Sequence, residues 1–443
     1  EEEALLLALR QPMGSQPLRQ IADSAQTVAI SVCDITRPMP SARVLPVLLS
    51  ELNHIPKDQI TILVATGSHR ANTKEELDEM LGPEVVANYR VLNHSAFDPE
   101  NLSQAGETSE GIPISLNAEW LASDIRITAG FVEPHFFAGF SGGPKMVAPG
   151  LAAVETIMQL HSAPLIAHPS ATWGITQGNP IHDAIRQIAA QTGVSFAIDV
   201  TLNRDHEITS VHAGELFESH ASACRFARRT AMQAVSSPFE VVLTTNSGYP
   251  LDLNLYQAVK GMSAAARIVR QGGAIICAAE CSDGIPDHGE YRGLLASSSS
   301  PESLLELVHS PGFERQDQWQ GQIQSQIQSK ASVYLKSSYL RAEQVREAHL
   351  EPIEDVEATV SQLLVEYGAG SRICVLPQGP QTIPYADFPA GEPPQAMLVH
   401  RQGGSTPQEA GIGAPKGGFP SSPDALPDAC DTPTSPRIAR LSG

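Results

Sequence analysis

A chain of 443 residues, 42% hydrophobic and 18% charged, is long enough for two domains and ordinary in composition for a globular enzyme. Its formal net charge of −20 argues against nucleic acid and anionic membrane surfaces as main partners, although local basic residues still allow an anionic substrate. No apolar run reaches the roughly 20 residues of a membrane span, and the acidic opening E-E-E-A-L-L-L-A-L is unlike a secretory signal. The six cysteines are scattered, only Cys277 and Cys281 are close, and a reduced cytoplasmic setting is the simplest expectation.

Strand-like runs alternate with helical patterns from the start. V-A-I-S-V-C (28–33) leads into the loop D-I-T-R-P, and I-T-I-L-V-A (60–65) into T-G-S-H-R. Thr73 is placed to cap a helix whose first turn is acidic. Runs at 89–94 and 125–131 continue the rhythm, 194–202 with 208–214 reads as a hairpin, and a helix is expected over roughly 215–235. A second domain opens near Ser236-Ser237-Pro238, with strands at 240–245, 273–279 and 372–376 and helices at 342–350 and 356–367. The expected fold is α/β: two domains with mostly parallel sheets, 1–235 and 236–388. The Gly-, Pro- and Ser-rich segment 389–443 is expected to be disordered.

Parallel sheets bind ligands beyond the carboxyl ends of their strands, where Asp34, Arg37, His69 and His135 fall. Arg37 suits a carboxylate or phosphate; alone, 34–38 reads equally as a turn closed by Asp34. Between His135 and His161 lies H-F-F-A-G-F-S-G-G-P-K, then E-T-I-M-Q-L-H. The loop Ser141-Gly142-Gly143 would let backbone N–H groups approach an anion, and Lys145 would neutralise that anion or serve as a nucleophilic amine. The spacing departs from a Walker A loop, which disfavours a nucleoside triphosphatase. His135 suits proton transfer and His161 metal ligation. Tyr256 and Lys260, at i and i+4, share a helix face directed at a cleft between domains. Trp319 stands in the polar stretch D-Q-W-Q and is expected to be exposed, as a lid residue or packing anchor.

In combination and order, D-I-T-R-P, A-T-G-S-H-R, V-E-P-H-F-F-A-G-F-S-G-G-P-K-M-V-A-P-G, E-T-I-M-Q-L-H, Y-P-L-D-L-N-L-Y-Q-A-V-K-G and A-A-E-C-S-D-G resemble the lactate racemase family over about residues 1–388. These are nickel-pincer-dependent racemases and epimerases of 2-hydroxy acids. The resemblance implies an interdomain active site and a cofactor, pyridinium-3-thioamide-5-thiocarboxylic acid mononucleotide, whose sulfur groups hold nickel. It implies that Lys145 bonds this cofactor covalently, that His161 ligates nickel, and that His69 and His135 are paired acid/base residues. Arg37, Gln257 and Lys260 would face the substrate; Asp34, Tyr256 and Trp319 match pocket positions less closely. The implied reaction inverts C2 of a lactate-like acid by hydride transfer, with cofactor-building or inserting proteins as partners. A malate-type or sugar-acid epimerase with the same site, and a non-catalytic carrier of the cofactor, are the alternatives; Phe136 and Phe137 would form an apolar wall beside His135. A zinc hydrolase is disfavoured because no H-x-x-x-H or H-E-x-x-H pairing occurs among the candidates.

Overall fold

Alternate residues of the strand Val28–Cys33 enter opposite cores, Ile30 and Val32 on one face and Ala29 on the other, and all six are buried. This burial on both faces is what an apolar run without alternation specifies. The structure, a computed structural model, describes residues 1–286, 289–386 and 438–440. Its first sheet runs in spatial order Ile208–Gly214, Phe196–Leu202, Ile125–Phe131, Val28–Cys33, Ile60–Ala65 and Arg90–Asn93. All pairings are parallel except the terminal hairpin expected from the sequence. Helix Ser41–Glu51 covers one face, while Pro180–Thr192 and Leu216–Ala231 bring residues to the core on the other.

The second sheet is wholly parallel: Glu351–Pro352, Ala331–Lys336, Val269–Ala278, Phe239–Thr245, Ile373–Leu376 and Ile438–Arg440. The expected disorder over 389–443 falls outside the described residues except at Ile438–Arg440, which pair as a strand. The helix expected over 215–235 ends at Ala231, because Met232–Val235 pairs in parallel with Ile383–Ala386. That two-stranded ribbon joins the chain where it leaves the first sheet to the point where it returns from the second. Thr73 caps Lys74–Leu81 in a reciprocal box with Glu76.

One apolar cluster continues from the first sheet into the second, uniting Leu160 and Ile166 with Val259, Ile323 and Ile327. Polar side chains cross the same boundary. Gln322 Nε2 donates to Ala163 O at 2.9 Å, and Trp173 Nε1 donates to Ser263 Oγ at 3.1 Å.

Candidate functional site

Three adjacent parallel strands, Ile125–Phe131, Val28–Cys33 and Ile60–Ala65, deliver His135, Asp34 and His69 beyond the same end of the first sheet. His69 Nδ1 lies 2.8 Å from Asp34 Oδ2. The carboxylate is buried, with 6% side-chain exposure, whereas the imidazole keeps 44%. Burial works to raise the Asp34 carboxyl, yet His69, Arg37 and Thr36 together hold it below its ordinary value. An ionised Asp34 accepts the Nδ1 proton, so in the neutral ring Nε2 of His69 is the nitrogen that bears the lone pair.

His135 has the opposite tautomer. Its Nδ1 accepts the Ala138 N–H at 3.3 Å, which puts the proton of the neutral ring on Nε2. Burial, then Lys145, Arg37 and Lys260, hold its pKa well below the ordinary value, so the ring is neutral near pH 7. Phe137 stands edge-on to His135 at 4.5 Å and to His161 at 5.0 Å, and Phe136 lies 4.9 Å from His135. The expected apolar wall is therefore present.

The segment from His135 to Lys145 is held from below by side chains that sequence reasoning missed. Asn179 Nδ2 donates to Phe137 O at 2.9 Å, and His220 Nε2 lies 2.9 Å from Ser141 O. Asp199 Oδ1 accepts the Gly143 N–H at 2.9 Å. The open anion cradle expected of Ser141, Gly142 and Gly143 is corrected at Ser141 and Gly143. Ser141 N–H is taken by Glu133 O and its hydroxyl by Phe131 O, while Gly143 N–H is taken by Asp199. Both glycines have positive φ, and a Cβ on Gly143 would meet His220 at 2.4 Å. They are required for this descent of the chain, which places Lys145 on the short turn Gly143–Met146.

His161 closes the helix Val154–Leu160, and its Nδ1 donates to Ile157 O at 2.7 Å. That bond leaves Nε2 deprotonated, as a metal ligand needs, and the carbonyl serves as the orienting partner. Burial lowers its pKa to about 4. Trp319 lies 4.7 Å from the His161 ring and donates from Nε1 to Tyr256 Oη at 3.0 Å. Its expected exposure is wrong: Trp319 is 5% exposed. The glutamine-rich helix Gln318–Lys330 is buried because its amides reach backbone carbonyls, Gln322 to Ala163 O and Gln324 to Ala348 O at 2.7 Å.

Helix Leu255–Ala266, capped by Asn254, carries Tyr256, Gln257 and Lys260 toward the first sheet. Lys260 Nζ donates to Gln257 Oε1 at 2.7 Å. Arg37, Lys145 and Lys260 all act electrostatically on Glu133, a residue within V-E-P-H that drew no assignment from sequence. Burial raises the Glu133 carboxyl, and Arg37, with Lys260 and Lys145 in their charged forms, counters it. Burial, with Arg37 and Lys260, in turn holds the Lys145 ammonium well below its ordinary pKa, favouring a free amine. Electrostatic and direct contacts thus connect Asp34, Arg37, His69, His135, Lys145, His161 and Lys260, and Trp319 ties Tyr256 to His161.

Family models for the lactate racemase N-terminal domain and the lactate racemase C-terminal domain match residues 1–174 and 234–383. The lactate racemase of Thermoanaerobacterium thermosaccharolyticum is 34% identical over 386 residues, covering 86% of this chain and 90% of the relative. That of Lactiplantibacillus plantarum is 34% identical over 382 residues, with the same coverage. The solved lactate racemase apoprotein from T. thermosaccharolyticum superposes with a TM-score of 0.83 at 33% identity, covering 86% of this chain and 92% of that one. A Thermotoga maritima protein of solved structure shares the fold, with a TM-score of 0.67 at 19% identity over 87% of this chain and 98% of that one. These likenesses establish that the chain belongs to the lactate racemase family.

Proposed function

We propose that this protein interconverts the enantiomers of lactate, or of a closely similar 2-hydroxy acid, using a nickel-pincer mononucleotide joined to Lys145. The observation that carries this reading is the pair of imidazoles with opposite tautomers, His69 and His135, beyond the same end of the first sheet, with Arg37 acting electrostatically on both Asp34 and His135. The relatives' activity supports the reaction class. The side chains also fit the cofactor. Lys145 favours its free amine and can bond a thiocarboxyl carbon, while His161 offers one deprotonated nitrogen with a fixed tautomer. Among the described residues no group of three or more His, Cys, Asp or Glu is arranged to hold a metal. A nickel held by a single histidine therefore requires further donors from the cofactor itself.

When bound, the nickel cofactor supplies the hydride acceptor and donor. The chain's own residues handle the protons and the anion. Arg37 and Lys260 fix the substrate carboxylate. His69 Nε2 takes the C2 hydroxyl proton while Asp34 holds the resulting imidazolium. His135 Nε2–H donates a hydrogen bond to a substrate oxygen. To serve as base toward the opposite enantiomer, His135 must move its proton to Nδ1 and release the Ala138 N–H, and a bond of 3.3 Å resists that weakly. General acid/base help of this type is worth about 10²–10⁴-fold.

The test is to produce the protein with the cofactor-building enzymes and give it single-enantiomer lactate in deuterated water. Racemisation with C2 keeping its protium supports hydride transfer; solvent deuterium at C2 overturns it in favour of a carbanion route. Absence of racemisation with every 2-hydroxy acid tried would overturn the activity itself.

A further inference from the structure

Behind Phe136 and Phe137, on the boundary between the two sheets, lies a cavity of about 190 Å³ whose lining includes none of Arg37, His69, His135, Lys145, His161 and Lys260. Phe136, Phe137 and Thr172 line it from the first unit; Ser263, Arg267 and Lys330 line it from the second. Two cations meet there, both partly buried, and among the described residues neither forms an ion pair with a carboxylate. That is unexpected in a chain whose net charge is −20, because a buried cation without a counter-charge is costly.

The donors around the cavity are only partly used by the protein. Arg267 donates from Nε to Pro384 O at 3.2 Å and from Nη1 to Thr172 Oγ1 at 2.6 Å, which leaves its Nη2 group available. Lys330 Nζ spends one of its three protons on Ala266 O at 2.6 Å. Thr172 Oγ1 accepts from Arg267, and Ser263 Oγ accepts from Trp173 Nε1, so both hydroxyl protons are free to point elsewhere. Arg228, which donates to Gly174 O at 2.8 Å, adds further positive potential at Arg267. The cavity therefore offers the Nη2 group of a guanidinium, an ammonium and two hydroxyls to a single occupant that must be an acceptor.

We propose that this cavity is a binding site for a phosphate-type oxyanion, recognised by Arg267, Lys330, Thr172 and Ser263, which clamps the two halves of the protein together. Its occupant draws on both sides of the boundary that Gln322 and Trp173 already bridge. Because Phe137 lines the cavity and touches both His135 and His161, an occupant stiffens the wall of the site without entering it. The oxyanion is either free inorganic phosphate or the phosphomonoester end of a nucleotide.

The experiment is titration of the purified full chain with sodium phosphate at constant ionic strength, sodium chloride serving as control, read by calorimetry and by thermal midpoint. A saturable rise in midpoint with phosphate alone is expected. Lys330→Gln should weaken phosphate binding about tenfold or more. Thr172→Val, which deletes one hydroxyl, should weaken it less and guards against a folding defect in the charge variant. A mononucleotide that competes at lower concentration than phosphate identifies the phosphomonoester as the occupant, and the reverse ranking identifies the free anion; either ranking supports the site. Absence of saturable phosphate binding, or undiminished binding in both variants, would overturn the proposal.

Discussion

His69 Nδ1 and Asp34 Oδ2, 2.8 Å apart, form an imidazole–carboxylate pair in which only the imidazole is open to the cleft. The pair is assembled from two neighbouring strand ends, 35 residues apart in sequence. It fixes which nitrogen of His69 points away from Asp34, and gives any positive charge on that ring a buried counter-charge. Among the described residues His135 has no such partner; its ring is oriented by a backbone N–H and the flanking phenyl rings.

Replacing Asp34 should therefore damage proton transfer more than substrate binding. Asp34→Asn keeps the shape but cannot balance an imidazolium, so kcat should fall about 10²-fold while KM changes a few-fold at most. Steady-state racemisation followed by chiral detection measures both. A variant with wild-type kcat would show that the His69–Asp34 bond has no part in catalysis.

Lys145 should carry the cofactor because its surroundings disfavour the ammonium. Burial does most of this, and Arg37 and Lys260 add to it. Intact-mass measurement of protein made with the cofactor-building enzymes should show an adduct that is absent from both Lys145→Ala and Lys145→Arg. Arginine keeps a positive charge but lacks the amine nucleophile, so an adduct surviving in Lys145→Arg would place the linkage elsewhere.

Much of this arrangement is legible in the sequence, for a physical reason. A parallel strand buried on both faces, such as Val28–Cys33, is apolar except where a partner is supplied, as Met146 O is to the Ser31 hydroxyl, and its carboxyl end is marked by the polar residues Asp34 and Thr36. His69 and His135 could be placed by the same rule. The fate of the Gly143 N–H could not, since its acceptor Asp199 lies 56 residues away on another strand. Trp319 is harder to place from sequence because Gln320, Gln322 and Gln324 look like surface residues until the carbonyls that accept from their amide N–H groups are known.

Trp319 fills the space between His161 and Tyr256, so its loss should be felt as lost packing as well as lost orientation. Trp319→Ala should destabilise the protein by about 3–5 kcal/mol and lower the nickel retained per protein. Trp319→Phe keeps a ring against His161 but loses the bond to Tyr256 Oη, and should cost closer to about 1 kcal/mol. Denaturant unfolding and metal analysis measure the two effects. Near-wild-type stability and nickel content in Trp319→Ala would mean that the His161 ring is held by the Ile157 carbonyl alone.

Asp199 provides a stability prediction with a definite sign. Its Oδ1 accepts the Gly143 N–H, but Oδ2 is buried with no hydrogen-bond partner among the described residues, and burial raises its pKa to about 7. An aspartate in the unfolded chain titrates near 3.9, so between about pH 4 and pH 7 the folded state holds a proton that the unfolded state lacks. The stability from this group is complete below about pH 4, declines as pH rises to about 7, and is level beyond. Asp199→Asn retains the acceptor for Gly143 and cannot ionise. The difference in stability, variant minus wild type, should therefore grow by up to a few kcal/mol from pH 4 to pH 7, at about 1.4 kcal/mol for each pH unit crossed. The buried His182 and His220, lowered to about 4 and about 3, destabilise the fold as pH falls below about 6.5, but equally in both proteins, so they cancel in the difference. Thermal or denaturant unfolding at pH 5, 6, 7 and 8 provides the comparison. A difference that stays constant across this range would show that Asp199 is ionised in the folded protein throughout, with an unseen partner at Oδ2.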